Sequence, residues 1–287
     1  MLSNYLIGLR EGLEAALVVS ILLVYLTRTD RAAMRRWVFF GVGSAIVASI
    51  LVALILETIS QELSATAEPA FSGFVSFSAV AFVTWMIFWM RRSARTISTD
   101  LRHQLDDAAL GGGHIAVAAM AFVAVIREGA ETAVFFWAAS QASGNTTVSI
   151  LGLLLGLATA VALGWAIYRS SASINLPKFF RITGILLVFV AAGVLSYGIS
   201  EFQEIGWLPG ADAVLLDLSH VMTEGSLIQT FLGGIFNIKA TTTVLQALAW
   251  TTYSLVVLFL FLRPVSATPL VRSENAVSDT QSETARR

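Results

Sequence analysis

Cysteine is absent from this chain of 287 residues. Its absence excludes disulfide bonds, thiolate metal sites, cysteine nucleophiles and palmitoylation. Charge is scarce too, since charged residues make up 13% of the chain, whereas soluble domains average about 25%. Hydrophobic residues make up 56%, and the mean hydropathy is +0.76. This composition predicts one integral membrane domain in a lipid bilayer, with no nucleic acid as a partner.

The chain also lacks a basic segment before its first apolar run, and Arg10, Glu11 and Glu14 interrupt that run. Both features argue against a cleaved secretory signal, so we expect the first run to remain as a membrane span. A spanning helix takes about 20 apolar residues. Seven segments are predicted to span, approximately Tyr5–Leu26, Trp37–Leu56, Phe71–Met90, Ile115–Gln141, Ser149–Tyr168, Phe180–Ser200 and Val244–Leu262.

Basic residues are concentrated in alternate loops. The residues that occupy or flank the basic loops are Arg28, Arg31, Arg35, Arg36, Arg91, Arg92, Arg95, Arg102, Arg169, Lys178, Arg181, Arg263, Arg272, Arg286 and Arg287. The other loops contain only Lys239. Because lysine and arginine in short loops mark the cytoplasmic side, we expect the N-terminus outside and the C-terminus inside.

One charged motif occurs twice, as Arg10-Glu11-Gly12-Leu13-Glu14 and as Arg127-Glu128-Gly129-Ala130-Glu131. Each copy lies inside an apolar span, where an unpaired charge costs about 2.5 to 3.5 kcal/mol. The charges should therefore face the protein interior. Glutamates three residues apart share one helical face, so four carboxylates are predicted to converge, with two arginines as counter-charges: Glu11, Glu14, Glu128 and Glu131, with Arg10 and Arg127.

Four carboxylates against two guanidinium groups leave a formal charge of −2. An all-oxygen set suits hard cations such as magnesium, calcium, manganese or ferric iron. The histidines, His103, His114 and His220, lie away from the motif. Two other interpretations remain open at this point: buried ion pairs that only lock the helices, and a proton pathway.

The two motif helices are separated by three predicted spans, so they should run in opposite directions. This arrangement predicts an inverted 3+3 repeat, about 1–95 and 114–204, with a seventh helix at about 244–262. Small residues recur every fourth position in spans two and five: Gly41, Ala45, Ser49, Ala53, and Gly152, Gly156, Ala160, Gly164. Such stripes allow close helix packing, and inverted repeats with a midplane site are typical of transporters.

Small residues also accompany the motif itself: Gly8, Gly12 and Ala16 in the first span, and Gly129 and Ala133 in the fourth. We expect these stripes to bring the two motif helices together. The aromatic residues Trp85, Trp89, Phe135, Phe136 and Trp137 are predicted to face lipid or to pack, with no ligand role.

The doubled Arg-Glu-x-x-Glu motif in seven predicted spans resembles the oxidase-dependent iron permeases, in particular their bacterial ferrous iron members. The likeness extends to about Arg263 and includes the run from Thr84 to Arg91. It implies an iron permease without enzymatic activity in the cytoplasmic (inner) membrane. By that resemblance, iron is the transported substrate rather than a permanent cofactor, and the four motif glutamates bind it.

Fungal members of that family carry an Asp-Ala-Ser-Glu motif before the last span, and this chain has none. The resemblance therefore implies bacterial partners: a periplasmic iron-binding protein and a haem peroxidase. A permease for another cation, such as manganese or lead, is the alternative within transport. A membrane-embedded carboxylate-metal oxidase is the alternative enzyme, although di-iron bundles usually carry Glu-x-x-His pairs.

Acidic residues dominate the predicted outer loops and should concentrate cations there. We expect cations to enter at Glu201 and Glu204, which repeat the three-residue spacing, with Asp217, Glu224, Glu57 and Glu68 as further candidates. Solvated loops that merely obey the charge rule are the alternative.

Three longer segments outside the spans carry predictions of their own. Leu215 to Ile238 is predicted to form a surface or re-entrant helix, and the loop before His114 a polar helix with a flexible joint. A metal site at His103 and Asp107 is a further hypothesis for that loop. Residues 264–287 are predicted to be a disordered cytoplasmic tail, which leaves 1–263 as the permease domain.

Overall fold

The structure is a computed structural model that describes residues 1–93, 113–169, 176–217 and 241–263. Long α-helices make up most of these residues, which confirms the predicted all-α class. Each predicted span lies within one helix. The helices are α1 (Leu2–Arg28), α2 (Arg35–Glu62), α3 (Ala67–Ser93), α4 (Gly113–Ser143), α5 (Thr146–Arg169), α6 (Leu176–Glu204) and α7 (Val244–Leu262), and a 3₁₀ turn, Ala32–Met34, precedes α2.

Six of these helices, α2 to α7, are long and apolar enough to cross a membrane. Their outward faces carry large apolar side chains, among them Phe40 (67% exposed) and Leu255 (65% exposed). Contiguous exposure of this kind marks a lipid-facing surface. The chain is therefore a multi-pass membrane protein. Helix α1 has 27 residues, about 40 Å at 1.5 Å per residue, but it also contains the three charges of the first motif.

The helices pack in pairs, α1 with α5, α2 with α4, and α3 with α6, while α1 also touches α4 and α7 packs on α6. The contacts fix the directions. Going along α1, Met1, Gly8 and Ala16 lie against successive residues of α5, so these two helices run parallel. Helix α2 runs parallel to α4 in the same way, whereas Gly73 of α3 meets Phe202 near the end of α6, so that pair is antiparallel.

Small residues allow the parallel helices, α1 with α5 and α2 with α4, to pack closely. A Cβ atom added to Gly12 would lie 2.9 Å from Cβ of Ala160 in α5, and one added to Gly129 would lie 2.8 Å from Cβ of Ser49 in α2. The prediction that these stripes join the two motif helices is therefore wrong. Glycine instead seats each motif helix against its parallel neighbour, and the faces that carry the glutamates remain turned toward each other.

The largest apolar core lies between α1, α3, α4, α6 and α7. Its buried side chains include Ile7, Val83, Phe135, Leu187 and Val194. Helix α7 is fixed to this core by a hydrogen bond of 2.7 Å between the hydroxyl groups of Thr84 and Tyr253. The core thus surrounds the half of the motif helices that leads toward Met1.

One end of the bundle, called here the Met1 end, holds Met1, the turns after α2 and α4, the end of α6 and the start of α7. A two-stranded antiparallel pair closes it, β1 (Val214–Asp217) with β2 (Thr241–Thr243). The prediction of a helix from Leu215 is therefore wrong at its start, because residues 214–217 form a strand whose Val214, Leu216 and Asp217 pair with a run of threonines, which favour extended backbone.

A capping box begins α7 directly after β2: Thr243 Oγ1 accepts from the Gln246 amide, and Gln246 Oε1 accepts from the Thr243 amide. Gln203 of α6 accepts from both side chains, at 3.1 and 3.3 Å. Its own Nε2 donates to the carbonyl of Pro209. The end of α6 is therefore tied to the start of α7.

Several predictions fall on residues that the structure does not describe. These are Glu224 and the rest of the predicted helix up to Ile238, the loop with His103 and Asp107, and the tail 264–287. They stay predictions.

Candidate functional site: a buried glutamate cluster

The two motif copies lie in the middle of α1 and α4, at the contact between these helices. In the first copy Arg10 and Glu11 are each 1% exposed and Glu14 is 6% exposed. In the second copy Glu128 is buried, Glu131 is partly buried, and the Arg127 side chain is 37% exposed. Arg10 and the motif glutamates thus face the protein interior, as the cost of charge in lipid requires, whereas Arg127 lies at the edge of the cluster.

Each arginine pairs with the glutamates of its own copy. Arg10 Nη1 donates to Glu11 Oε1 at 2.8 Å, and its Nη2 lies 3.2 Å from Glu14 Oε1. Arg127 Nε donates to Glu131 Oε1 at 3.2 Å and lies 4.0 Å from Glu128 Oε1. Local pairing of this kind offsets part of the cost of burying the charges.

These ion pairs leave some carboxylate oxygens of the motif glutamates without a hydrogen-bond donor. Glu14 has a buried Oε1 atom that accepts no hydrogen bond, and Glu11, Glu128 and Glu131 each have such an Oε2 atom. A buried carboxylate oxygen without a donor is costly unless another positive group satisfies it. These residues are therefore better suited to holding a cation than to closing a finished salt-bridge network.

Three of these residues converge across the α1–α4 contact. One carboxylate oxygen from each of Glu11, Glu128 and Glu131 lies within 4.8 Å of the other two. Hard cations bind oxygen at about 2.0 to 2.6 Å, so ligands on opposite sides of an ion lie up to about 5 Å apart. The cluster has the dimensions of a cation site with three carboxylate ligands.

Glu14, the fourth predicted ligand, is not part of this close group. It lies one turn beyond Glu11 and interacts electrostatically with Glu128 and Glu131. The structure therefore brings three of the four predicted glutamates together and places the fourth beside them.

Two residues of α3 contact the motif arginines, and sequence reasoning missed both. Arg10 Nη1 also donates to Met86 Sδ at 2.9 Å, and the guanidinium carbon of Arg127 lies 4.2 Å from the centre of the Trp89 ring. The only signal was their spacing of three residues within one span, which places them on one helical face. The prediction that Trp89 only packs or faces lipid is incomplete, since it makes a cation–π contact.

The predicted outer acids are spread over the Met1 end. Glu57 and Glu68 are partly buried, and Glu57 accepts from Gln61 Nε2 at 2.7 Å. Glu201 is 8% exposed, whereas Glu204 is exposed. The two residues of the pair that the three-residue spacing suggested therefore differ in exposure. Asp217 lies in β1, and Glu224 lies outside the described residues.

The sequence pattern of the Iron permease FTR1 family matches residues 1–273. The chain belongs to the iron permease FTR1 family. This confirms the resemblance seen in the doubled motif, and it makes the chain a member of a transporter family rather than an enzyme family.

Relatives within the FTR1 family match over nearly their whole length. The chain is 36% identical over 272 residues to the ferrous iron permease EfeU of Escherichia coli O6:H1, covering 93% of this chain and 97% of that protein. It is 35% identical over 270 residues to EfeU of Yersinia pestis, covering 93% and 95%. A relative in Escherichia coli K12, described as a putative inactive ferrous iron permease, is 36% identical over 269 residues. No solved structure matches the chain.

Proposed function

We propose that this FTR1-family chain carries iron inward across the cytoplasmic membrane through the glutamate cluster of its two motifs. The observation that carries the proposal is the convergence of Glu11, Glu128 and Glu131 within 4.8 Å, each with a buried oxygen that accepts no hydrogen bond. Family membership supplies the substrate, because the relatives are named as ferrous iron permeases. Iron is the cargo in this proposal, and no permanent cofactor is needed.

The charge balance suits a transient cargo. Four carboxylates and two guanidinium groups give the site a formal charge of −2, and a divalent cation neutralises it. Glu14 adds negative charge from one turn away and completes the proposed set of four ligands. The arginines hold the carboxylates in place while no ion is bound.

All seven described long helices span the membrane in this proposal, as an inverted 3+3 repeat followed by α7. Two contacts support the repeat. Gly12 of α1 meets Ala160 of α5, and Gly129 of α4 meets Ser49 of α2. Gly12 and Gly129 hold equivalent positions in the two motifs, and Ser49 and Ala160 hold equivalent positions in the two small-residue stripes. The contact between α1 and α5 in one pair is therefore equivalent to the contact between α4 and α2 in the other, as a repeat that relates α1 to α4 and α2 to α5 requires.

The charge rule places the Met1 end outside, with the N-terminus outside and the C-terminus inside. Iron would then enter from the acidic Met1 end and leave among the cytoplasmic loops. The expected access residues are Glu201, Glu204, Glu57, Glu68, Asp217 and Glu224. By analogy with the bacterial members of the family, a periplasmic iron-binding protein and a haem peroxidase would deliver iron to this end.

Radioactive iron uptake into proteoliposomes that contain only this chain tests the proposal. Glu131→Gln and Glu14→Gln keep the side-chain size but remove a negative charge. We expect each to lower saturable uptake at least tenfold, while Glu62→Gln, an exposed acid at the Met1 end, leaves it unchanged. Running the assay under ferrous and ferric conditions gives the preferred oxidation state.

Wild-type uptake by both motif variants, in protein that elutes as a single folded species, would refute the assignment of the site. Manganese and lead serve as competitors in the same assay, because carboxylate oxygens also bind other divalent cations. Stronger competition by manganese than by unlabelled iron would assign the permease to manganese instead.

A further inference from the structure

Toward the Met1 end, the side chains next to the glutamate cluster are apolar. The cavity there lies between α1, α3, α4 and α6 and is lined by Ile7, Ala79, Val83, Phe135, Val190 and Val194, among others. Ile7 lies one turn from Glu11, and Phe135 lies one turn from Glu131. The glutamate cluster is therefore separated from the Met1 end by a layer of apolar side chains, and an ion needs a place to bind before that layer.

Beyond the apolar layer, the same faces of α3 and α6 become polar. Ser72 and Ser76 continue the α3 face that carries Ala79 and Val83, while Tyr197 and Glu201 continue the α6 face that carries Val190 and Val194. Ser72 and Ser76 are each 0% exposed and Glu201 is 8% exposed. Both α3 and α6 therefore bury polar side chains at this end of their interface, although the rest of that interface is apolar.

These groups are in contact across the two helices. The Tyr197 hydroxyl lies within hydrogen-bonding range of Glu201 and of Ser72, and the carboxylate of Glu68 is close enough to act on Tyr197 electrostatically. Ser72 Oγ donates to Glu68 Oε1 at 3.4 Å. Two carboxylates, a phenol and a serine hydroxyl thus form one cluster, in which every donor or acceptor is oxygen.

A buried atom without a partner indicates that this cluster is not complete by itself. Ser76 Oγ is buried and has no hydrogen-bond partner. Its side chain points at α6, because a Cβ atom added to Gly198 would lie 3.1 Å from Ser76 Cβ. Gly198 follows Tyr197 and lies three residues before Glu201. An unpaired hydroxyl in this position has a free lone pair for a ligand that the other oxygens also bind.

We propose that Glu68, Glu201, Tyr197, Ser72 and Ser76 form a second cation site, the outer oxygen site, which loads iron before it crosses the apolar layer to the glutamate cluster. Its ligand class is a hard cation bound by oxygen alone. Two carboxylates at one place supply a charge that such a cation neutralises. The inference rests on the proposed function for its cargo, but it concerns separate residues.

The α6 helix offers a matched pair of variants. Glu201→Gln changes the buried carboxylate of the outer oxygen site, and Glu204→Gln makes the same change at the exposed neighbour. Tyr197→Phe removes a single hydroxyl from the same cluster. If the site loads iron, Glu201→Gln and Tyr197→Phe raise the KM for uptake at least fivefold with Vmax within twofold of wild type, whereas Glu204→Gln, at an exposed access residue outside the site, raises the KM less than twofold.

Equal effects of Glu201→Gln and Glu204→Gln would overturn the proposal, since diffuse surface charge would then account for both. A fall in Vmax at constant KM would overturn it too, because that pattern indicates a packing role for the Tyr197–Glu201 contact. Thermal unfolding of each purified variant checks that the fold survives.

Equilibrium dialysis of the purified chain with radioactive ferrous iron under anaerobic conditions separates the two sites. We expect two bound ions per chain in wild type, one in Glu131→Gln, one in Glu201→Gln, and none in the double variant. Loss of one ion in Glu131→Gln with none lost in Glu201→Gln would overturn the outer oxygen site and leave the glutamate cluster intact. The reverse pattern would overturn the glutamate cluster as a binding site and retain the outer oxygen site.

Discussion

Arg10 and Arg127 hold the same position in the two motif copies, yet their surroundings differ. Arg10 is fully buried and donates to both Glu11 and Met86. Arg127 is 37% exposed and makes one hydrogen bond within the motif, to Glu131, besides its contact with Trp89. Arg10 is thus fixed on two sides, whereas Arg127 lies at the edge of the cluster. We expect an incoming cation to displace Arg127 more readily than Arg10, because the Arg127 side chain is more exposed.

Trp89 holds Arg127 at that edge, and its removal should let the guanidinium group compete with iron for the carboxylates. A cation–π contact contributes about 0.5 to 2 kcal/mol, which corresponds to a factor of about 2 to 30. We expect Trp89→Leu to raise the KM for iron within that range and Trp89→Phe to keep most of the affinity. Uptake kinetics in proteoliposomes measure both.

Trp85, one turn away on α3 and 55% exposed, supplies the control. Trp85→Leu should raise the KM less than Trp89→Leu does, since the Trp85 ring stacks on Trp89 but no contact joins it to a motif arginine among the described residues. A KM that stays at the wild-type value in Trp89→Leu would show that Arg127 is positioned by its carboxylate partner alone.

Helix packing in this molecule depends on individual glycines. A Cβ atom added to Gly41 of α2 would collide with the carbonyl oxygen of Ala118 and lie 3.0 Å from Cβ of Ala121 in α4. Nothing lies within 4 Å of the same atom added to Gly43. The two positions differ by two residues on one helix, and only one faces a neighbouring helix.

Gly41→Ala should therefore destabilise the protein by about 1 to 3 kcal/mol, the usual cost of overpacking. Gly43→Ala should be neutral or stabilising, because alanine is the better helix former by up to about 1 kcal/mol. Thermal unfolding of both variants in detergent tests the difference. Equal melting temperatures would mean that α2 and α4 do not pack closely at Gly41.

At the level of helices, the sequence predicted the seven long α-helices among the described residues and placed each span inside one of them, but not the 3₁₀ turn Ala32–Met34. It also predicted small-residue stripes as packing surfaces, but it assigned Gly12 and Gly129 to the wrong neighbour. Periodicity shows which residues share a face of a helix, and it contains no information about which helix covers that face. The start of the predicted helix at Leu215 failed for a similar reason, because pairing with Thr241–Thr243 joins residues far apart in the chain.

The whole molecule raises the question of whether α1 crosses the bilayer. It runs parallel to α5, which is long and apolar enough to span, and its charges are buried rather than exposed to lipid. Both facts favour a seventh crossing in the same direction as α5. An odd number of crossings puts the two ends of the chain on opposite sides of the membrane.

Single cysteines can test this topology directly, because the native chain contains none to remove. We expect Ser64→Cys and Asn145→Cys, in turns at the Met1 end, to react with a membrane-impermeant maleimide in intact spheroplasts. Ala33→Cys and Arg263→Cys, at the other end, should react only after permeabilisation. Labelling of Arg263→Cys in intact spheroplasts would require an even number of crossings.

The sequence by itself determined the membrane class, the helices and the doubled motif, because these follow from composition and from charge placed within apolar runs. It also indicated which carboxylates share a helical face. Only the tertiary structure decided that Glu11, Glu128 and Glu131 meet while Glu14 lies beside them, that α3 contacts both motif arginines, and that Glu201 is buried with Tyr197 while Glu204 is exposed. These features depend on the packing of helices that are distant in the chain, and local periodicity does not specify that packing.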